Sequence, residues 1–160
     1  MADVNGIYDE YGRGVYLFLL KLTGDEAMAE ELLQETFYRA VKDIGRFEGR
    51  CSLMTWLCQI GKNAYFKELR RKRRSEATAE LYDGSEETPS TEEQVLRADE
   101  IRRIRQSVER LDEPYRTVFV LRVYAEQSFA SIGASHGKSE GWARVTFHRA
   151  KEKIISEVKK

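Results

Sequence analysis

Residues 47–74 read FEGRCSLMTWLCQIGKNAYFKELRRKRR, and the reading of this stretch decides the rest of the chain. A short polar loop leads to Ser52, whose hydroxyl suits the capping position of a helix running on from Leu53. Leu53, Leu57, Ile60 and Ala64 recur at three- and four-residue spacing and give that helix one buried face. Trp56, Gln59 and Asn63 fall on an adjacent face, and the basic run Arg70, Arg71, Lys72, Arg73, Arg74 closes the stretch. An asparagine that can bond a base edge, a ring that can support an unstacked base and a run of phosphate-neutralising cations together point to nucleic acid. The same residues also fit a plain core helix with Trp56 inside and a solvated basic end.

Composition bounds the alternatives. At 160 residues, 41% hydrophobic and 34% charged, the chain has room for one domain or two small ones under an ion-rich surface. It contains no apolar run of about 18 residues and no charged-then-apolar start with a small-residue cleavage site, so the expectation is a soluble, cytoplasmic protein without stable membrane insertion. Cys51 and Cys58 are seven positions apart; on one helix their Cα atoms would sit about 10 Å apart, too far for a disulfide. With His136 and His148 elsewhere in the chain they make no metal-ligand spacing, and no cofactor is expected.

The net charge of zero conceals a partition. Residues 1–74 carry 13 Lys and Arg against 11 Asp and Glu, residues 75–100 carry 1 against 9, and residues 101–160 carry 13 against 7. Two basic lobes therefore flank an acidic connection, and both ends can attract a polyanion.

In chain order, Ile7, Tyr8, Tyr11, Val15, Phe18, Leu19 and Leu22 predict a first amphipathic helix ending near Gly24. Thr23 and Glu26 have the spacing of a capping box for a second helix that buries Ala29, Leu33, Phe37, Ala40 and Ile44. Its other side offers Glu30, Glu31, Gln34 and Glu35, either a solvated face or an acidic-amide patch for an Arg-rich partner. Ser75 to Ser90, with Gly84 and Pro89, reads as a linker. Fully extended it reaches roughly 50–58 Å, against about 34–36 Å for a turn of DNA, so the joined lobes could touch separated sites on one duplex.

Ser90 and Glu93 suggest a second capping box, followed by a helix burying Ile101, Ile104, Val108 and Leu111. Asp112 then starts another helix, with Pro114 near its first turn and Val118, Phe119, Leu121 and Val123 as core residues. Ser128 caps a short helix with Phe129 and Ile132, Gly137 ends it, and Ser139 caps a last helix to about Val158. A short helix, a glycine turn and a longer basic helix make the helix-turn-helix pattern, although plain helical bundles use the same elements. Ala143, Phe147, Ala150 and Ile154 form the buried stripe of the last helix, which leaves Arg144, Val145, His148 and Arg149 near the face that would enter a major groove. Arginine there can read guanine or bind phosphate, and Val145 can touch a thymine methyl. The fold class expected is all-α: two small helical domains joined by an acidic flexible linker, the second ending in a helix-turn-helix.

Several motifs also carry a resemblance. Glu31, Leu32, Leu33, Gln34, Glu35, Thr36 and Phe37; Phe47, Glu48 and Gly49; and Ser52 to Leu57 with Asn63 are followed by Leu111 to Arg116, then Gly141, then His148, Arg149 and Ala150. In this order and over nearly the whole chain they resemble a bacterial RNA polymerase sigma factor of the extracytoplasmic-function group. The resemblance implies a region 2-like domain in residues 1–74, an acidic linker in 75–100 and a region 4-like domain in 101–160. It implies that Glu31, Gln34 and Glu35 dock on the clamp coiled coil of core polymerase. It further implies that the loop residues Phe47, Arg50, Cys51 and Ser52, with Asn63, recognise the -10 promoter element and capture a flipped base, offsetting an unstacking cost of a few kcal/mol. Arg144, Val145, His148 and Arg149 inherit the reading of the -35 element, and region 4 would also touch the polymerase flap. Promoter DNA and core polymerase are the implied partners, with room for an anti-sigma factor.

The chain departs from the family's pattern at Ala130 and Ser131, where an acidic pair is usual, at His136 and Lys138 in place of aliphatics, at Thr146, where a basic residue is usual nearby, and at the bulky Trp142. Those departures lead to the expectation of a helix-turn-helix core that is looser or repacked around Trp142. The rival reading is a helix-turn-helix regulator that binds duplex without polymerase. A scaffold or an enzyme has little behind it, since no paired carboxylates, Ser/His/Asp order or phosphate-cradling glycine loop is visible.

Overall fold

The computed structural model describes residues 4–78 and 91–159. Among the described residues every regular element is helical: α1 (Val4–Thr23), α2 (Glu26–Asp43), a 3-10 turn (Ile44–Arg46), α3 (Leu53–Thr78), α4 (Glu92–Arg110), α5 (Tyr115–Val123), α6 (Phe129–Ser135) and α7 (Glu140–Val158). Helices α1 to α3 form an N-terminal lobe and α4 to α7 a C-terminal one, as the apolar spacing predicts. The greater part of the expected linker, including Ser90, lies outside the described residues; its first residues continue α3 and its last belong to α4.

The N-terminal core is built by Val15, Phe18, Leu19 and Leu22 of α1 against α2 and Leu57, Ala64, Tyr65 and Phe66 of α3. Gly61 is what lets α3 approach so closely: a Cβ there would lie 3.1 Å from Thr36 Oγ1 and 3.2 Å from a Leu19 methyl. The buried set of α2 is Ala29, Leu32, Thr36, Phe37 and Ala40, so Leu32 and Thr36 take the positions expected of Leu33 and Ile44. Thr36 is accepted inside because its hydroxyl donates to Leu32 O at 2.6 Å.

Caps also shift by a residue or two. Gly24, at φ +69, turns the chain, so Asp25 rather than Thr23 caps α2, accepting from Ala27 N at 3.0 Å and Met28 N at 3.2 Å. A carboxylate there also meets the positive end of the helix dipole. Thr23 instead bonds Asp25 N at 3.1 Å. The capping box of α4 is Thr91 with Gln94, not Ser90 with Glu93. At α5 Asp112 gives only its backbone carbonyl, to Arg116 N at 3.1 Å, and the Glu113 carboxylate accepts from Thr117 N at 3.3 Å.

In α4 only the end is buried. Val108 is 2% exposed and Leu111 8%, whereas Ile101 and Ile104, expected in the core, are 50% and 38% exposed, because the helix packs on α5 and α7 through its C-terminal part. In α5 Val120 is buried together with Val118, while Val123, expected in the core, is exposed.

The helix-turn-helix forms as its caps predict. Ser128 Oγ accepts from Ser131 N and Ser139 Oγ from Trp142 N, both at 3.1 Å. Gly133 lets α6 lie on the turn, since a Cβ there would be 2.4 Å from Ser139 O. The core is close-packed rather than loose: Ile132, Ala143 and Ala150 are fully buried, Thr146 nearly so, and Phe147 sits between Phe119 and Phe129 at centroid distances of 5.8 and 5.6 Å. Trp142, half-buried, packs against the edge of that core and lies 5.3 Å from His136 over the turn, and Lys138 is exposed, which explains why a lysine is tolerated.

The two lobes pack against each other. Lys62 of α3 is only 6% exposed and donates its ammonium to Thr117 Oγ1 of α5. Arg116 covers the Phe66 ring at 4.1 Å, Arg73 pairs with Glu109, and Arg105 donates to Lys21 O at 3.3 Å. Burial lowers the Lys62 pKa from 10.5 to about 8, against the pull of Glu113 and with the push of Arg116. Burial works to raise Glu113, but its bonds from Thr117 and Arg116 and the charges of Lys62 and Arg116 prevail and hold it below the usual range.

Two predictions follow from this packing. Between about pH 8 and 10.5 the folded chain binds fewer protons at Lys62 than the unfolded chain, so stability rises with pH across that window; below about pH 8 the full cost of burying the charge is present. Urea unfolding of wild type and Lys62→Met should therefore diverge by about 1–2 kcal/mol in favour of wild type between pH 7.5 and 9.5; a constant difference means that Lys62 is not held with a lowered pKa. The comparison cancels the titration of Cys58, Tyr65 and Tyr124, common to both proteins. Val108→Ala should cost about 1.5–3 kcal/mol and Ile101→Ala under about 0.5 kcal/mol in the same assay.

Candidate nucleic-acid interface

The loop before α3 is shaped by its own side chains. Phe47 stacks on Trp56 at 5.2 Å, Glu48 and Arg50 pair at 2.8 Å in solvent, and Cys51 is a half-buried free thiol whose pKa burial raises. Ser52 caps α3 as predicted, its Oγ accepting from Thr55 N at 3.1 Å. Asn63 is exposed. It lies seven residues along α3 from Trp56, on the same side of the helix, so about 10 Å separates it from the ring that carries the loop. The structure thus sets loop and asparagine along one helix face, with a small apolar pocket of Ile7, Phe37, Ala40, Val41 and Ile44 against Trp56.

On α2 the acidic-amide patch is divided. Glu31 and Glu35 line the groove between α2 and α3, together with Arg39, Lys67, Glu68, Arg71 and Arg74. Glu35 is held there by Arg39 Nε at 2.7 Å. Gln34 faces the opposite flank, beside Tyr8, Arg13 and Glu30. The acids and the amide therefore lie on two different flanks of α2.

Arg144, Val145, His148 and Arg149 are all exposed on α7, opposite Ala143, Thr146, Ala150 and Ile154. Arg144 pairs with Glu140 at 3.0 Å and His148 with Glu152 at 3.2 Å. Both pairs are on the surface and contribute little stability, so a nucleic-acid phosphate or base edge can displace them. Arg149 lies at the edge of this face, in a shallow groove with Tyr115 and Lys153.

Periodicity did not single out the contact that α3 makes with α6 and with Gln127 just before it. Ser52 N donates to Ser131 Oγ at 3.2 Å, and Thr55 Oγ1 donates to Gln127 Oε1 at 2.7 Å and lies 2.8 Å from Ser131 Oγ. Ser52 Oγ reaches Gln127 Oε1 at 3.3 Å, and Gln59 Nε2 donates to Ser135 Oγ at 3.0 Å. Thr55, Gln59, Lys62 and Phe66 follow helical spacing and so make a face of α3 of their own, a signal present in the sequence but masked by the stronger apolar stripe beside it. Among the described residues no cluster of His, Cys, Asp and Glu could hold a metal ion, and no helix is long and apolar enough to cross a membrane.

Residues 7–75 match the family described as Sigma-70 region 2, and residues 101–154 match Sigma-70, region 4. The chain is 33% identical over 140 residues to the RNA polymerase sigma factor CarQ of Myxococcus xanthus, covering 86% of this chain and 78% of that protein. It is 34% identical over 155 residues to the ECF RNA polymerase sigma factor BldN of Streptomyces coelicolor, of which it spans 58%. The RNA polymerase sigma factor YlaC of Bacillus subtilis is 26% identical, with 99% of this chain and 93% of that protein covered. Among solved structures, the sigma factor RpoE bound to the anti-sigma factor NepR from Bartonella quintana has the same fold, at a TM-score of 0.59 and 18% identity over 97% of this chain and 96% of that one. CnrH in complex with the cytosolic domain of CnrY superposes at a TM-score of 0.56 and 20% identity, over 96% of this chain and 85% of that one. With both regions present in family order on the two lobes, the chain belongs to the extracytoplasmic-function group of RNA polymerase sigma factors, which direct promoter-specific transcription.

Proposed function

We propose that this chain docks on core polymerase through α2, opens the -10 element with the loop before α3 and with Asn63, and reads the -35 element with α7. Residues 1–74 would form the first working unit, 101–160 the second, and 75–100 the acidic connection between them. What carries the reading is the coincidence of the two family regions with three separate exposed faces of the right chemistry: the acids of α2, the loop and Asn63 beside Trp56, and the basic face of α7. Glu31, Gln34 and Glu35 would bind the clamp coiled coil, where exposed carboxylates can meet arginine in charge-assisted bonds. Phe47, Arg50, Cys51 and Ser52 would border a flipped base whose edge Asn63 bonds. Arg144, Val145, His148 and Arg149 would enter the major groove once Arg144 leaves Glu140, while the rest of the second unit touches the flap.

The protein would act in the cytoplasm, where polymerase works, and perform no catalysis of its own. RpoE and CnrH are seen bound to NepR and to the cytosolic domain of CnrY, and by analogy an anti-sigma partner is proposed here. A regulator acting without polymerase is the weaker reading, because it leaves the region 2 match and the α2 acids without a task.

Transcription by purified core polymerase on a promoter pool, with and without this chain, tests the reading directly: promoter-selective transcripts are expected only with the chain. Substituting Glu31 and Glu35 by Arg should weaken co-purification with core polymerase by about tenfold or more while the helical signal stays intact; undiminished binding removes α2 from the docking role. Asn63→Ala should reduce permanganate reactivity of the opened -10 region more than closed-complex binding, and equal losses argue against base capture. Arg144→Ala should cost about 1–3 kcal/mol at one -35 position if it reads a base; a loss uniform over sequences assigns it to phosphate.

A further inference from the structure

We propose that Lys138 and Trp142, with His136 behind the indole, hold one DNA backbone phosphate on a flank of α7. The site rests on the proposed -35 reading, which puts α7 in a major groove, and adds to it a contact made by three of the positions at which the chain departs from its family. Two of them touch: the His136 ring lies 5.3 Å from the Trp142 ring at an inclination of 40°. Lys138 lies between the two along the turn, with its side chain exposed.

A helix with its side chains is about 10–12 Å across, and the major groove is about 12 Å wide. A helix lying in the groove therefore turns one face to the bases and its two flanks to the sugar-phosphate walls. At 3.6 residues per turn Trp142 projects about 90° from the centre of the face made by Arg144, Val145, His148 and Arg149, which puts the indole against a wall rather than over a base edge. Arg149 is seven residues further on, about 10 Å along the helix, too far to share one phosphate with Trp142. Glu140, the nearest acid in the chain, projects about 160° away from Trp142 and is bonded to Arg144 at 3.0 Å on the other flank.

The turn that presents these side chains is held from several sides. Gly137, at φ +66, turns the chain, Lys138 N donates to Gly133 O at 2.8 Å, and His136 Nδ1 donates to Ile132 O, which can only accept, at 3.1 Å. His136 is thus tied to the end of α6, and its ring sets the direction of the indole. Among the described residues the Trp142 indole N–H has no hydrogen-bond partner and the Lys138 ammonium no ion pair. A fixed neutral donor beside an ammonium on a flexible four-carbon stem suits an anion with several oxygens at the wall of a groove. The helix end does not supply the site, because Ser139 Oγ already accepts from Trp142 N at 3.1 Å. Thr146, one turn further along α7, is 5% exposed and lends nothing to it.

The test uses holoenzyme assembled from core polymerase and the full chain, bound to a duplex carrying the -35 element in which single phosphates are replaced in turn by uncharged methylphosphonate. On the unmodified duplex Lys138→Gln and Trp142→Phe should each weaken binding about three- to tenfold, by the same factor whatever the -35 sequence. Lys138→Gln should also lower the slope of log K against log salt by about 0.9, whereas Trp142→Phe, which removes a neutral donor, should leave it unchanged. Coupling decides the site: one methylphosphonate should weaken the wild type and cost both variants little more. His136→Ala should lose the coupling between Trp142 and that phosphate, and His136→Phe, which keeps a ring behind the indole, should restore it; a turn that was merely loosened would not single out one phosphate. Variants that bind like the wild type, losses that add to every methylphosphonate alike, or a Trp142→Phe loss confined to one -35 base overturn the phosphate site and leave the reading role of α7 in place. Wild-type holoenzyme indifferent to the -35 sequence overturns that reading, and the site with it.

Discussion

A buried ammonium has to be answered by oxygen, and at Lys62 the oxygen comes from the far end of the chain. Thr117 Oγ1 accepts its hydrogen bond, Glu113 balances its charge, and Arg116 in turn closes on Glu113 at 2.9 Å and on the face of Phe66. These groups bring the start of α5 onto the middle of α3, and once that contact is made α6 has to lie along the first turns of the same helix. Burying the ammonium carries a cost, and that burial is what lowers the pKa of Lys62 to about 8.

Helix α3 serves three masters at once. One face, with Leu57, Ala64 and Tyr65, closes the N-terminal core around Gly61. A second, with Thr55, Gln59 and Lys62, meets the C-terminal lobe. A third leaves Asn63 in solvent, on the side of Trp56 and the loop stacked upon it. The basic run 70–74, the most conspicuous feature of the sequence, is partly spent internally: Arg71 pairs with Glu68 at 2.7 Å and Arg73 reaches Glu109.

Much of the secondary structure was legible because its signals are local. Ser52, Ser128 and Ser139 each cap the helix they were expected to cap, and the helix-turn-helix follows from hydroxyl, glycine turn and basic helix within some thirty residues. Where local signals compete, the reading slipped by one or two positions. At the start of α2, Thr23 and Asp25 both offer a capping oxygen, and the left-handed Gly24 gives the position to Asp25. At the start of α4, two adjacent hydroxyls and two side chains three residues on make equivalent boxes, and Thr91 with Gln94 takes it. Ile101 and Ile104 have perfect spacing for a core that does not extend to meet them; periodicity defines a face, not what covers it.

The amino-acid sequence by itself determined the helices, the two basic lobes, the family and the exposed face of α7 with Arg144, Val145, His148 and Arg149, since each depends on spacing within one segment. The division of the α2 patch, with Glu31 and Glu35 on one flank and Gln34 on the other, needed the position of α3 beside it. The pairing of Thr55 and Gln59 with Ser131 and Ser135 spans more than seventy residues and joins groups that, taken singly, look like ordinary surface hydroxyls and amides. Only the tertiary structure could decide that these small polar side chains find each other instead of water, because that choice depends on the packing of both lobes and on no property of either segment alone.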